Sequence, residues 1–195
     1  TLSGPALQAG GFLDPLGSLH IGQAEDAARA EAFLAAFEES GVTLERVDPA
    51  AYIPGLRPGW TIGIWEPSCT YIDVAALHAD ALARARKAGA ELALRSAVTS
   101  AARVDGRWRI ETDSGRYEAT VLVNAAGAWV DLVARQAGAA PIGIQPYRRT
   151  LAQLRVDPPV AAGVPHVVHL GGAFYFKPEA GGRLWLSPHD ETPVA

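Results

Sequence analysis

The sequence predicts a mixed α/β fold, and three observations carry that expectation. Alternating or continuous apolar segments recur along most of the chain, and three stretches instead carry apolar residues at helical spacing. Nearly every segment also ends on a glycine, a proline or an Asp-Gly type turn. A chain of 195 residues that is 49% hydrophobic and 19% charged has the make-up of a globular protein with a sizeable core.

The first sixteen residues, rich in Gly, Pro and Ala, show no period, so the first strand is expected at 18–23. Ala27, Ala30, Leu34 and Phe37 then recur at helical spacing over 25–39, and Gly41 is placed to stop that helix. Pro49, Pro54, Pro58 and Gly59 punctuate a loop before Trp60, Ile62 and Ile64 resume a strand pattern. Asp73 is a good N-cap for a second helix, which presents Val74, Leu77, Ala81 and Ala85 on one face and stops at Gly89. Residues 91–124 read as a β-meander with turns at Asp105-Gly106 and Asp113-Ser114-Gly115, its last strand, 120–124, apolar enough for burial on both faces. A short helix carrying Val130, Val133, Ala134 and Ala137 closes at Gly138. Strands are expected at 145–156, 164–170, 173–177 and 183–187. The organisation is an α/β region centred on 72–138, with an antiparallel sheet fed by both flanks.

A formal charge of -4 and a pI near 5.7 argue against nucleic acid as a partner. Cys69 alone forms no internal disulfide, which fits a reducing, cytoplasmic setting. No apolar run approaches the ~18 residues of a membrane span. A chain that begins at Thr1 and holds no methionine is expected to be an excised piece of a longer one.

Neither GxGxxG nor GxxxxGK[ST] occurs, so no phosphate-cradling loop is present. His166 and His169, three apart on a strand, point to opposite faces and do not make a metal pair. Cys69 lacks a nucleophile motif, and Ser187, His189 and Asp190 are too close in sequence for an ordinary triad. Arg148 and Arg149 share a strand, on opposite faces. An inward guanidinium would bind a carboxylate through its two-pronged fork, whereas an edge-strand pair would only blunt aggregation. Tyr175 faces away from Phe174 and Phe176, as a core phenol or a pocket hydroxyl. Asn124-Ala125-Ala126-Gly127-Ala128-Trp129 joins a strand to a helix through small residues, either as a tight packing turn or as a corner that admits a ligand to its backbone.

Five landmarks, read in order, resemble one family. They are Ile72-Asp73-Val74-Ala75-Ala76-Leu77-His78, Val104-Asp105-Gly106-Arg107-Trp108, the segment from Val121 to Trp129, Gln145-Pro146-Tyr147-Arg148-Arg149, and Phe174-Tyr175-Phe176-Lys177-Pro178 with Ser187-Pro188. The chain resembles the middle of the D-amino acid oxidase-like family of FAD-dependent oxidoreductases, above all the bacterial D-amino acid dehydrogenases of the D-arginine dehydrogenase type. The resemblance implies an antiparallel-sheet substrate-binding domain from 1–71 and 141–195, and an internal part of an FAD-binding α/β domain from 72–140. It implies FAD as cofactor and an amine or amino acid as substrate, oxidised at Cα–N by hydride transfer to an imine that water hydrolyses. Val98 matches the family's backbone contact to the adenine, and Ala125, Ala126, Gly127 and Trp129 match its flavin-side loop. Arg149 matches the arginine that holds the substrate carboxylate, and Tyr175 the tyrosine that hydrogen-bonds it. Related enzymes acting on a 2-hydroxy acid or glycerol phosphate, or a non-catalytic binding module, are the alternatives. The family's glycine loop and its C-terminal flavin segment would lie outside 1–195, so the chain alone is expected to be inactive and free of FAD.

Overall fold

The computed structural model describes residues 10–161 and 163–194. In chain order the elements are β1 (Leu13–Pro15), β2 (Ser18–Gly22), α1 (Ala27–Phe37), β3 (Glu45–Val47), β4 (Ile62–Glu66), β5 (Thr70–Ile72) and α2 (Val74–Lys87). There follow β6 (Val98–Val104), β7 (Arg107–Thr112), β8 (Gly115–Ala119), α3 (Val130–Gln136), β9 (Tyr147–Arg148), β10 (Ala152–Arg155), β11 (His166–His169), β12 (Tyr175–Glu179), β13 (Arg183–Ser187) and β14 (Thr192–Pro193). They form two compact units, Thr1–Ala81 with Arg149–Glu191, and Leu82–Arg148 with Thr192–Ala195. No helix among the described residues is long and apolar enough to cross a membrane.

The larger unit is built on a seven-stranded sheet ordered β10-β13-β12-β11-β2-β4-β3. It is antiparallel except for the central pair, where β2 and β11 run parallel with Ser18 opposite His166 and Leu19 opposite Val167. The register sorts the side chains onto two faces. Leu19, Ile21 and Val167 form the core of one face, packed against Val47, Trp60, Trp65, Phe174 and Phe176. Ser18, His20, His166, Tyr175, Lys177 and Ser187 occupy matching positions on the other. Gly17 makes the entry to β2 possible. Its φ of +71° suits glycine, and a Cβ there would overlap the Trp65 ring at 1.8 Å.

Asp26, 2% exposed, fastens the start of α1. Its carboxylate accepts the Gln23 N–H at 3.1 Å and pairs with Arg29 at 2.6 Å, and those two donors hold its carboxyl below the usual range. His169 accepts the Ala173 N–H at Nδ1 and directs Nε2 toward Asp26 at 3.4 Å, tying β11 to the helix start.

The smaller unit is the expected meander, β6-β7-β8, with α3 packed on β6. Asp105 and Gly106 have φ of +50° and +78°, the left-handed pair that a two-residue hairpin of this twist requires. The Asp73 carboxylate accepts the Ala76 N–H at 2.9 Å as the predicted cap of α2.

Several expectations need correction. Residues 120–124 form no strand, and Val121 and Val123 are 70% and 78% exposed. A strand buried on both faces needs hydrogen-bonded neighbours, and no described strand pairs with this segment. The single strand expected at 145–156 is two, because Asp190 captures both the N–H and the hydroxyl of Thr150 at 2.7 Å. β9 then pairs with β14, and β10 with β13. The short strands β1, β3, β5 and β14 were not expected. They hold two or three residues each, too few to show a period.

Candidate functional site

The polar face of the large sheet is where chemistry-bearing side chains gather. The strand Ser18-Leu19-His20-Ile21 alternates, so burying Leu19 and Ile21 sends Ser18 and His20 to the opposite side. Ser18 is itself 5% exposed, and its hydroxyl lies 3.5 Å from His20 Nε2 and 3.4 Å from His166 Nδ1. Tyr175 starts β12 and meets two imidazoles edge-on, His166 at 5.6 Å and His189 at 5.2 Å between ring centroids. Phe174 and Phe176 turn the other way, as the alternation predicts.

From the end of β13 the segment 187–191 runs from Tyr175 to Arg149. The Ser187 hydroxyl, fully buried, accepts the His189 N–H at 3.2 Å. His189 has a φ of +56° and donates from Nδ1 to the Gly172 carbonyl at 2.7 Å. Asp190 holds Thr150, whose N–H and then hydroxyl keep its carboxyl below the ordinary range. Glu191 pairs with the Arg149 guanidinium, whose side chain is 34% exposed. Arg149 therefore sits just past β9, outside any strand, with its fork turned to an internal carboxylate. Arg148 remains in β9 opposite Thr192. Ser187, His189 and Asp190 make three separate contacts and no side-chain triad.

Lys177, on the same face as Tyr175, is already satisfied. Its ammonium stands over the Tyr71 and Trp185 rings at 4.1 and 4.5 Å and pairs with Glu179 at 3.3 Å. Burial lowers the pKa of His166, reinforced by Lys177, and burial with His166 lowers that of His20 against the opposing pull of Glu66. Both imidazoles thus take up a proton less readily in the fold than an unfolded histidine, which titrates near ~6.5. Their contribution to stability is complete above that value and is lost as pH falls below it toward the folded pKa. The melting temperature is expected to drop as pH falls below about 6.5, by roughly 2–4 °C per kcal/mol lost. His20→Leu, whose ring partner Phe33 lies at 4.4 Å, is expected to flatten the curve, and an unchanged pH profile counts against the assignment.

In the smaller unit, Asn124 braces the turn that follows it, accepting the Ala126 N–H at 3.3 Å and donating to the Val130 carbonyl at 2.8 Å. Gly127 has a φ of +55°, and nothing lies within 4 Å of where its Cβ would stand. With alanine at 125 and 126, the turn presents open backbone to one side, which fits the edge of a flat ring system. Trp129 is 67% exposed and lines a cleft of about 380 Å³ with Leu132, Arg135, Ile144 and Pro146. Asp131 shapes that cleft by accepting the N–H groups of Ile142, Gly143 and Ile144 at 2.9–3.0 Å. Val98 opens β6 opposite Thr112, next to a bulge at Thr99. Val98 and 125–129 therefore share one unit, and Arg149 and Tyr175 share the other.

The family model described as FAD dependent oxidoreductase (DAO) matches residues 7–194. The chain belongs to this family. Among curated relatives, human dimethylglycine dehydrogenase is 32% identical over 126 residues, covering 63% of the chain and 14% of that protein. L-Proline dehydrogenase from P. horikoshii superposes with a TM-score of 0.79 at 20% identity, covering 95% of the chain and 52% of that structure. The L-α-glycerophosphate oxidase of Mycoplasma pneumoniae, solved with FAD bound, gives 0.81 at 16% identity over 94% of the chain and 51% of that structure. The DAO-family chain thus spans about half the length of these solved structures and a seventh of the curated relative. The mixed α/β fold is that of FAD-dependent oxidoreductase structures. Kinship with the D-arginine dehydrogenase type in particular is not singled out, since the relatives include a mammalian enzyme.

Sequence reasoning missed the grouping of Ser18, His20 and His166. Its signal was two polar residues alternating with Leu19 and Ile21 in a strand otherwise fit for a core.

Proposed function

We propose that the protein carrying these residues oxidises the Cα–N bond of a D-amino acid or a related carboxylate-bearing amine, with FAD as hydride acceptor. The observation that carries the reading is the segment 187–191, which links a fork-bearing cation, Arg149, to a half-buried phenol, Tyr175, on the polar sheet face. Arg149 would take the substrate carboxylate through two parallel N–H donors, and the Tyr175 hydroxyl would add a third. That places the amine and the Cα–H at a fixed distance from the anchor. When bound, FAD supplies the two-electron acceptor for the Cα hydride. The backbone at Val98 would meet the adenine, and Ala125, Ala126, Gly127 and Trp129 would flank the flavin. Two of the relatives are named for amines, a dehydrogenase of an N-methylated glycine and one of proline, and a third is named for glycerophosphate.

We further propose that the 195 residues alone do not retain FAD, since they carry no glycine-rich phosphate loop and leave 121–129 open. The purified chain is expected to be colourless and the full-length protein yellow. Anaerobic mixing of the full-length protein with D-amino acids, N-methylglycines, 2-hydroxy acids and glycerol phosphate is expected to bleach the flavin with the amines. Bleaching by hydroxy acids or glycerol phosphate alone would overturn the reading.

A further inference from the structure

His166 is the imidazole of the polar face that both touches the Ser18 hydroxyl and stands edge-on to Tyr175, and like His20 and His189 it has one ring nitrogen hydrogen-bonded among the described residues. Its Nδ1 faces the Ser18 hydroxyl, whereas Nε2 forms no hydrogen bond among the described residues. His189 spends Nδ1 on the Gly172 carbonyl, and His20 directs Nε2 to Ser18 and packs on Phe33. Ser18 is 5% exposed and can donate to one ring and accept from the other, so it orients His166 whichever tautomer is present. The imidazole stands edge-on to Tyr175, in the register row that a sheet core would fill with apolar side chains. A half-buried polar group with a positioned backing residue and an open atom is built to meet a hydrogen-bonding partner.

We infer that His166 reads the substrate's side chain: Nε2 hydrogen-bonds a polar group on the substituent at Cα, and substrates bearing such a group are preferred over apolar isosteres. This rests on the reading of Arg149 and Tyr175 as the carboxylate anchor, which leaves the neighbouring position along the sheet for the substituent. The groups facing His166 are Ser18 and His20 from β2, Glu66 from β4 beyond His20, Tyr175 and Lys177 from β12, and His189 beyond Tyr175. Burial and Lys177 both push the pKa of the ring down, which favours a hydrogen bond over an ion pair. A site built this way favours the analogue whose polar group can pair with the imidazole nitrogen.

The test uses the full-length, FAD-loaded protein and two isosteric pairs, D-serine against D-2-aminobutyrate as substrates and 3-hydroxypropionate against butyrate as unreactive ligands followed by the flavin spectrum. The native protein is expected to favour the hydroxyl member of each pair. His166→Leu is expected to shift the ratio of kcat/KM, and the ratio of Kd, by roughly tenfold or more toward the apolar member. His166→Asn, which keeps a polar atom near Nδ1 and loses the reach of Nε2, is expected to do the same. His166→Gln, which restores that reach, is expected to keep the native preference. These polar variants decide the matter if the leucine variant fails to fold. Equal loss on both members of a pair in every variant would overturn the inference. Failure of both amines to bleach the flavin would overturn the proposed reaction instead, and the unreactive pair would still decide the role of His166.

Discussion

Replacing Arg149 with alanine in the full-length protein is expected to raise KM for the amine substrate by roughly 30- to 150-fold, the equivalent of about 2–3 kcal/mol for a charge-assisted hydrogen-bonded pair. The loss should fall mainly on KM, because a guanidinium that held the carboxylate as proposed would do so alike before and during the reaction. Arg149→Lys is expected to recover only part of the affinity, since an ammonium restores the charge without the planar fork. The structural role of Arg149 separates cleanly from this effect. Its internal partner Glu191 is 60% exposed, and an exposed ion pair contributes only about 0–1 kcal/mol. The alanine variant should therefore melt within a few degrees of the native protein, and an unchanged KM with a normal melt would remove Arg149 from the site.

Leu19→Ala is expected to destabilise the larger unit by about 3–4 kcal/mol, read as a lowered denaturant midpoint. Leu19 is fully buried in β2, level with Val167 on one side and Trp65 on the other. Neither neighbour can move into the vacated space, because each is fixed by its own ladder of backbone hydrogen bonds. Leu94, 72% exposed, makes the matched control, and its alanine variant is expected to change stability by less than about 0.5 kcal/mol. Similar midpoints for the two variants would mean that the core does not centre on β2 and β11.

The sequence made legible what local chemistry decides. The Asp73 cap, the Asp105-Gly106 hairpin and the alternation that parts Tyr175 from its phenylalanine neighbours depend on a few adjacent residues. Long-range partners were not legible. Nothing near Thr150 announces that Asp190 will break its strand, and nothing near Arg149 announces Glu191. The apolar run at Val121 and Val123 reads as a buried strand, yet pattern alone cannot supply the strands that would cover it. The family landmarks were legible in their order and spacing, and they singled out Arg149 and Tyr175 one at a time. Only the fold shows them joined by one short segment.

The parallel pairing of β2 with β11 has a consequence for how the chain is made. Ser18 and His166 are separated by 148 positions, so the centre of the large sheet stays half-built until synthesis has passed His169. The meander between Val98 and Ala119 pairs its strands through hairpins only, and takes no strand from later in the chain. Before that point a nascent chain carries a paired meander and, on β2, an open ladder flanked by Leu19 and Ile21. Ribosomal pausing or truncation before β11 would thus leave the most buried strand of the sheet as a template for any other extended chain.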